Sequence, residues 1–208
     1  LGPSWSTIDA KGNWKAAHYT VVDLYKPIIL LAESDDKNFK LSVVNDGLNS
    51  HQLSAKLKLI TFTGEIVWTA DVPISARENS VTLLGEWLLK TMMKNPGLKR
   101  LSVLEIELFE SDTLIDSELF YFGKPRGLML SNVGPKIEVE LVGDHSILKI
   151  TSPVLLKDVM LSTDVEFKFS DNYFDVLPGE TKVVKVYTER VVIPKVKLKS
   201  LNQLYPRL

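Results

Sequence analysis

The spacing of apolar and polar positions changes near residue 27 of the chain. Before that point, four apolar residues recur every three to four positions and predict one helical stripe: Trp14, Ala17, Val21 and Leu24. Asn13 precedes the stripe as a candidate N-cap, and Pro27 ends it, because proline cannot continue a helix. The spacing therefore predicts a helix over residues 14–25.

From residue 28 apolar and polar residues alternate, which is the period of a β-strand. Thr63-Gly64 separates two long runs and predicts a hairpin turn. Residues 85–97 are ambiguous, because their Leu and Met content also suits one or two helical turns. The predicted strands are Ile28–Ala32, Phe39–Asp46, Leu53–Thr63, Glu65–Val72, Ser80–Leu84, Ser102–Glu110 and Thr113–Phe122. Together they predict an immunoglobulin-like β-sandwich over residues 27–124.

A glycine- and proline-rich stretch interrupts this pattern at residues 122–136, where three glycines and two prolines fall within 15 residues. It predicts a linker over residues 125–135. A second strand series follows, with no long helical pattern between its members: Ile137–Leu141, Leu148–Ile150, Val154–Leu161, Glu166–Phe169, Lys182–Tyr187 and Val191–Leu198. It predicts a second, smaller immunoglobulin-like sandwich over residues 136–208.

The predicted helix needs a packing partner, since an isolated helix of this length is marginal in water. Two alternatives follow from its apolar stripe. The helix packs on the first sandwich, or residues 1–26 belong to a domain upstream of residue 1.

Charge and cysteine content restrict the function classes. The net charge is −1, with 25 basic and 26 acidic side chains, so no strong field favours nucleic acid or an anionic membrane. We expect no membrane span and no signal peptide within this sequence. Cysteine is absent, which excludes disulfides and thiol nucleophiles. The missing cysteines and glycosylation sequons favour a bacterial source, in the periplasm or the cytoplasm.

The acidic and histidine residues do not form a catalytic or metal motif. Two glutamate pairs, Glu105/Glu107 and Glu138/Glu140, have the i, i+2 spacing of a solvated strand face. Asp171, Asn172 and Asp175 lack the spacing of a calcium loop. Three scattered histidines lack the spacing of metal ligands: His18, His51 and His145. We therefore expect no metal, no cofactor and no catalytic residue in this chain.

The acidic stretch at 171–180 favours a structural interpretation instead. Asp171 or Asn172 would cap the backbone, and Tyr173 or Phe174 would fill the core. Residues 177–180, Leu-Pro-Gly-Glu, would then form a turn with proline and glycine at its two central positions.

Other aromatic and basic residues each allow two interpretations. Trp68 and Trp87 pack in the core or between domains, or they are sugar-stacking platforms, and packing is the commoner role. The lysines of residues 194–201 form a basic groove, or they face outward from a strand and discourage edge pairing.

Three stretches resemble the C-terminal region of β-mannosidase-like enzymes of glycoside hydrolase family 2. They are "SWSTIDAKGNWKAAHY" at 4–19, "VVND" at 43–46 and "FSDNYFDVLPGE" at 169–180. They stand in the family's chain order and at the family's separation. The first stretch matches the segment that closes the catalytic barrel at Ser4, Trp5, Ser6, Asp9, Gly12, Trp14, Lys15, Ala16 and Tyr19.

The resemblance implies that residues 1–26 are the last segment of a (β/α)₈ barrel and that two accessory sandwiches follow. Family members are retaining glycosidases whose two catalytic carboxyl groups lie upstream of this segment. The implied partners are the catalytic barrel and the carbohydrate substrate of the intact enzyme, with a second copy in a homodimer as a further alternative. Trp5 would pack in the barrel rim or, as our candidate substrate-binding residue, line the sugar site of the intact enzyme.

The implied function is that of non-catalytic domains of an exo-acting enzyme that removes terminal β-mannose. Alternatives remain open at this stage. The parent enzyme could be an exo-β-glucosaminidase or a β-galactosidase-like relative. The sandwiches could also form a carbohydrate-binding module or a free-standing scaffold protein.

Overall fold

The computed structural model describes residues 5–10, 12–143, 145–163, 168–187 and 195–204. The chain separates into two compact units, one formed by residues 26–129 and the other by residues 1–25 together with 130–208. The predicted mainly β fold with one helix near the N-terminus is confirmed.

Residues 26–129 form two antiparallel sheets with strand orders β1-β2-β5 and β4-β3-β6-β7. Gly64, at φ 96°, closes the predicted hairpin between β3 and β4. The strands are β1 Ile28–Ser34, β2 Asn38–Asn45, β3 His51–Thr61, β4 Ile66–Ala76, β5 Ser80–Leu88, β6 Ser102–Glu110 and β7 Thr113–Phe120.

The ambiguous segment at 85–97 contains both kinds of structure. Strand β5 continues to Leu88, a helical turn α2 covers Leu89–Met92, and a 3-10 helix covers Pro96–Arg100. Met92 and Met93 are buried, which explains why this turn carries apolar residues.

The core of residues 26–129 is built from both sheets, as the alternating pattern requires. Its fully buried members are large apolar residues that share the inner faces of the strands: Phe39, Leu41, Leu57, Leu59, Leu104, Ile106 and Leu108.

A buried carboxylate joins the free edge of β1 to β7. The Asp116 Oδ2 atom accepts the Leu30 backbone N–H at 3.0 Å, and Oδ1 accepts the Lys26 ammonium at 2.9 Å. The bonds satisfy a buried acceptor and a strand-edge donor together, so Asp116 closes the sandwich at this edge.

The described part of residues 130–208 also forms two antiparallel sheets, with strand orders β11-β13-β9-β8 and β12-β10-β14. A 3-10 helix at Leu201–Leu204 follows the last strand. The strands are β8 Lys136–Val142, β9 His145–Thr151, β10 Leu156–Thr163, β11 Lys168–Phe169, β12 Phe174–Val176, β13 Thr181–Tyr187 and β14 Val196–Lys199.

The second core is smaller and consists of aliphatic residues from β9, β10, β12 and β13: Leu148, Ile150, Leu156, Val159, Leu161, Val176, Val184 and Val186. Two predicted strands extend outside the described residues, because 164–167 and 188–194 are not described. Strand β12 was not predicted, since three residues carry too short a pattern to detect.

The N-terminal helix α1 spans Ala16–Leu24 and is shorter than predicted. Its N-cap is Lys15, which makes no side-chain capping bond, so the prediction of Asn13 as N-cap is wrong. No residue of α1 is fully buried, and Leu24 is 60% exposed. The predicted stripe is therefore not a covered helix face in this structure.

Candidate functional site

Residues 5–10 and 12–15 belong to a short loop that folds back on itself ahead of α1. An isolated antiparallel bridge pairs Ile8 with Trp14, and the Lys15 N–H donates to the Thr7 carbonyl at 2.9 Å. Trp14 therefore lies on a bridge before the helix, which is why it does not continue the helical stripe.

Asp9 organises the turn of this loop and explains why Asn13 is not the cap. The Asp9 carboxylate accepts the Asn13 N–H at 2.8 Å and its side-chain amide at 3.1 Å. The Gly12 N–H donates to the Asp9 carbonyl at 3.1 Å, with φ of +82° that favours glycine. The Asp9-x-x-Gly12 spacing of the N-terminal motif is thus a turn requirement.

A chain of ring contacts connects this loop to the second β unit. Trp14 contacts His18 and Tyr19, with ring centroids 4.5 and 5.2 Å apart. Tyr19 in turn contacts Tyr173, with centroids 5.7 Å apart. The Thr7 hydroxyl bonds His18 Nδ1 at 2.9 Å and fixes the helix start to the loop. We name Trp14, His18, Tyr19 and Tyr173 the N-terminal cluster.

The pKa of the Tyr19 phenol is shifted by its surroundings in this cluster. Burial raises its pKa above the usual value, and the neighbouring Tyr173 and Asp171 raise it further because both disfavour a nearby phenolate. The contact with Tyr173 places α1 against the second β unit, which neither of the two packing alternatives included.

Trp5, the candidate substrate-binding residue, projects from the loop with its side chain fully exposed. It is not part of the N-terminal cluster, whose ring contacts begin at Trp14. Its role in sugar binding stays a prediction.

The 169–180 stretch forms a corner organised by Asn172, whose exposure is only 7%. The Asn172 Oδ1 atom accepts the backbone N–H groups of Leu161 at 2.7 Å and Tyr173 at 3.0 Å. Its amide donates to the Leu161 carbonyl at 3.0 Å. Asn172 therefore makes most of the predicted backbone cap, and the Asp171 carboxylate also accepts the Asn172 N–H at 2.8 Å. Phe174 packs against the second core, whereas Tyr173 is partly exposed.

The acidic residues of this corner, Asp171 and Asp175, bond to a lysine or to the backbone. Asp171 pairs with Lys182 at 2.6 Å, and Asp175 accepts the Asp158 N–H at 2.6 Å. The predicted turn at 177–180 is confirmed by the Glu180 N–H bond to the Leu177 carbonyl. Within the described residues, no group of three or more acidic or histidine side chains could hold a metal ion.

Trp68 and Trp87 are core residues, which confirms the commoner interpretation. Both are half-buried against the first core, and their rings meet edge to face at 6.0 Å. Trp87 also stacks on Phe39. A Cβ atom at Gly85 would lie 2.6 Å from the Trp87 ring, so the indole folds over the glycine.

The two glutamate pairs differ from each other. Glu138 and Glu140 are exposed, as predicted, and pair with Lys136 and Lys149. Glu105 is not on a freely solvated face, because its side chain is only 12% exposed. Lys58 lies between Glu105 and Glu107, with its ammonium 3.0 and 3.2 Å from their carboxylates, so it pairs with both.

Glu118 is a titratable residue that the sequence analysis missed. It pairs across strands with the fully buried Ile106, so its carboxyl faces the core side of β7. Burial raises the pKa of Glu118 to about 7, and the nearby Asp116 carboxylate adds to the shift. The sequence does contain a clue, because strand alternation places Glu118 on the same face as Asp116, two positions earlier.

The remaining predictions concern histidines, lysines and the membrane. His18 and His51 bond to Thr7 and Glu110 respectively, and the His145 ring lies 6.0 Å from that of Tyr187. Lys197 and Lys199 face outward from β14, as the strand interpretation predicted, while residue 194 lies outside the described residues. The helices within the described ranges are too short or too polar to cross a bilayer.

These two units define a tandem of immunoglobulin-like accessory domains. Residues 37–126 match the family model of the mannosidase Ig/CBM-like domain, and residues 131–204 match that of the mannosidase Ig-fold domain. The matches confirm the resemblance to the C-terminal region of mannosidase-like enzymes of glycoside hydrolase family 2. No curated protein matches the sequence significantly.

Solved structures share the fold over nearly the whole chain. The β-D-mannosidase from Dictyoglomus thermophilum has a TM-score of 0.75 at 23% identity, over 94% of this chain and 24% of that one. The exo-chitosanase from Amycolatopsis orientalis has a TM-score of 0.60 at 15% identity, over 95% of this chain and 28% of that one. This chain therefore spans about a quarter of the length of these two enzymes.

Proposed function

We propose that this chain forms the non-catalytic C-terminal domains of a retaining, exo-acting family 2 glycoside hydrolase that removes terminal β-mannose from oligosaccharides. The observation that carries the proposal is the ordered pair of family domains at residues 37–126 and 131–204. The likeness to a β-D-mannosidase supports mannose as the sugar. The likeness to an exo-chitosanase keeps glucosamine as the alternative.

The described carboxylates support a non-catalytic role for this region. A retaining glycosidase needs two carboxyl groups about 5 Å apart on either side of a sugar. Here Glu105 and Glu107 share Lys58, and Asp116 is held by Lys26 and a backbone N–H. Glu118 has a pKa suited to proton transfer but faces the sandwich core.

The proposed role of the two domains is to support the end of a catalytic barrel. Residues 5–25 are the part that would belong to this barrel, and their exposed apolar side chains suit a larger partner surface: Trp5, Trp14, Val22, Leu24 and Tyr25. The proposed partners are that barrel and the carbohydrate substrate of the intact enzyme.

Three measurements test this proposal. The coding sequence upstream of residue 1 should encode a (β/α)₈ barrel with two glutamates at its strand ends, and its absence would contradict the proposal. The complete gene product should hydrolyse an aryl β-mannoside faster than an aryl β-glucosaminide; the reverse order would assign glucosamine. This 208-residue chain alone should hydrolyse neither, and turnover by the purified chain would refute the non-catalytic role.

A further inference from the structure

Tyr173 adopts a backbone conformation that bulky residues rarely take. Its φ is 62°, in the left-handed region that favours glycine. The Asn172 side chain holds this conformation by accepting the Tyr173 N–H while it also bonds both backbone groups of Leu161. A strained backbone conformation of this kind persists only where the surrounding structure fixes it, and it is common at residues whose side chain has a specific role.

The Tyr173 ring is not a core side chain. It is 39% exposed, whereas its neighbour Phe174 packs against the second core. Its ring contact is with Tyr19 of α1, at a centroid distance of 5.7 Å and an interplanar angle of 55°. Tyr19 continues the contact to Trp14, which the bridge to Ile8 ties into the loop before α1.

The N-terminal segment has little other burial to hold it. None of the α1 residues is fully buried, and Leu24 and Tyr25 at its end are mostly exposed. Within the described ring contacts, the Tyr19–Tyr173 pair is the one that joins this segment to the second β unit.

We propose that Tyr173 is a positioning residue, and that the rigid Asn172 corner holds its ring outward as the docking point for residues 5–25. The docking itself is a property of this chain. Its consequence for an enzyme, that the last domain orients the segment closing the catalytic barrel, rests on the proposed function.

The test uses the 208-residue chain and amide hydrogen exchange followed by NMR. Tyr173→Gly removes the ring and also relieves the left-handed backbone, so it does not add strain at the corner. We expect the α1 amides to exchange about 3- to 10-fold faster, as the loss of one aromatic pair implies. The amides of β9 and β13 should keep their protection.

Three variants complete the exchange experiment. Tyr173→Phe keeps the ring and should keep α1 protected. Tyr187→Ala removes another exposed aromatic residue of the same unit, one whose ring neighbour is His145, and should leave α1 unchanged. If Tyr173→Gly also lowers the exchange protection of β9 and β13, Tyr19→Ala provides the deciding measurement, because it removes the same ring pair from the helix side. Unchanged α1 exchange in Tyr19→Ala would overturn the proposal.

The titration of Tyr19 supplies a second readout that a purely structural role of Tyr173 would not move. Because burial and charge repulsion from the Tyr173 phenolate both raise the pKa of Tyr19, Tyr173→Gly should lower it and Tyr173→Phe, which keeps the burial, should lower it less. The pKa is read from ¹³C-labelled tyrosine, with Tyr19→Phe assigning the signal. An unchanged Tyr19 pKa in Tyr173→Gly would contradict docking. Neither readout needs a sugar, so failure here and failure of the glycosidase assay are separate results.

Discussion

Two aromatic clusters in this chain have similar ring geometry and different surroundings. The core cluster consists of five rings in residues 26–129: Phe39, Trp68, Trp87, Phe120 and Phe122. Its contacts are 5.0–6.0 Å between centroids, and those of the N-terminal cluster are 4.5–5.7 Å. Phe39 has no exposed surface, whereas Trp14 is 44% exposed.

This difference shows that ring contacts alone do not determine how much a cluster stabilises the fold. An aromatic pair contributes about 0.5–1.5 kcal/mol beyond its burial, while burying the ring itself contributes more. The core cluster has aliphatic residues of two sheets around it. The N-terminal cluster lies on an exposed helix and one corner. The first should hold a domain together, and the second should position a segment.

The largest effect should come from the centre of the core cluster. Phe39→Ala removes a fully buried ring that contacts Trp87, Phe120 and Phe122. We expect the free energy of unfolding of residues 26–129 to fall by about 3–5 kcal/mol. Urea denaturation monitored by tryptophan fluorescence measures it, since Trp68 and Trp87 report on this unit.

Leu48→Ala is the matched control for that experiment. Leu48 lies in the same unit but is 90% exposed, so its truncation should change the unfolding free energy by less than about 0.5 kcal/mol. A loss below about 1 kcal/mol for Phe39→Ala would show that the two clusters do not differ as their burial implies.

The next effect concerns the corner beneath the N-terminal cluster. Asn172→Ala leaves the buried N–H and carbonyl of Leu161 without their partner, as well as the Tyr173 N–H. We expect a loss of about 2–3 kcal/mol for the second β unit, because unsatisfied buried groups keep their desolvation cost. Thermal unfolding followed by circular dichroism measures it, with the exposed amide Gln203→Ala as control. Equal stability of the two variants would mean that Asn172 does not hold the corner.

Local sequence patterns predicted most of the strands because each strand carries its own alternation. The range Ser102–Glu110 agrees with the predicted one, and the turns at Gly64 and Gly179 were found because glycine there has φ of +96° and +78°. The prediction ends strand β5 at Leu84, whereas the strand continues to Leu88. Gly85 interrupts the apolar pattern, but the Trp87 side chain covers Gly85 and packs against the first core.

Contacts between distant residues could not be predicted in the same way. Asp116 bonds Lys26, which lies 90 positions earlier, and no local pattern indicates that pairing. The N-terminal prediction failed for a related reason. Asn13 has the residue type of a cap, but Asp9 takes its N–H groups into a turn before the helix begins. The role of Tyr173 depends on a partner at position 19, and its left-handed backbone is visible only in three dimensions.

A pH-dependent effect tests the interior of the first sandwich at Glu118. Its folded-state pKa of about 7 lies above the ordinary glutamate pKa of 4.5, so the folded state binds more protons between these pH values. The associated stability is complete below about pH 4.5 and is lost as pH rises through 7. Glu118→Gln removes this loss. At pH 8 we expect the variant to be more stable by about 1–2 kcal/mol, a value reduced from the full shift because the carboxyl is only partly buried.

Chemical denaturation at pH 4, 6 and 8 measures that difference, which should be smallest at pH 4. Glu65→Gln makes the same change of charge at an exposed position of this unit and should not reproduce the gain. Parallel pH profiles of the unfolding free energy for the original chain and Glu118→Gln would show that burial on the core side of β7 does not raise the pKa of the Glu118 carboxyl.

The smallest effect should come from Trp5, which is aromatic like the core cluster but has a fully exposed side chain. Trp5→Ala should change the unfolding free energy of this chain by less than about 0.5 kcal/mol, because no burial is lost. Acrylamide should quench the fluorescence of Trp5 readily. It should quench that of Trp87 poorly, because Trp87 is packed against Phe39 and Gly85. Trp87→Phe should therefore remove the poorly quenched component of the signal. A loss above about 1 kcal/mol that grows with protein concentration would instead show that Trp5 is buried between two copies of the chain.

In the complete gene product the same substitution distinguishes the two roles proposed for Trp5. A raised KM for an aryl β-mannoside with unchanged stability indicates a sugar contact, whereas lowered stability with unchanged KM indicates packing in the barrel rim.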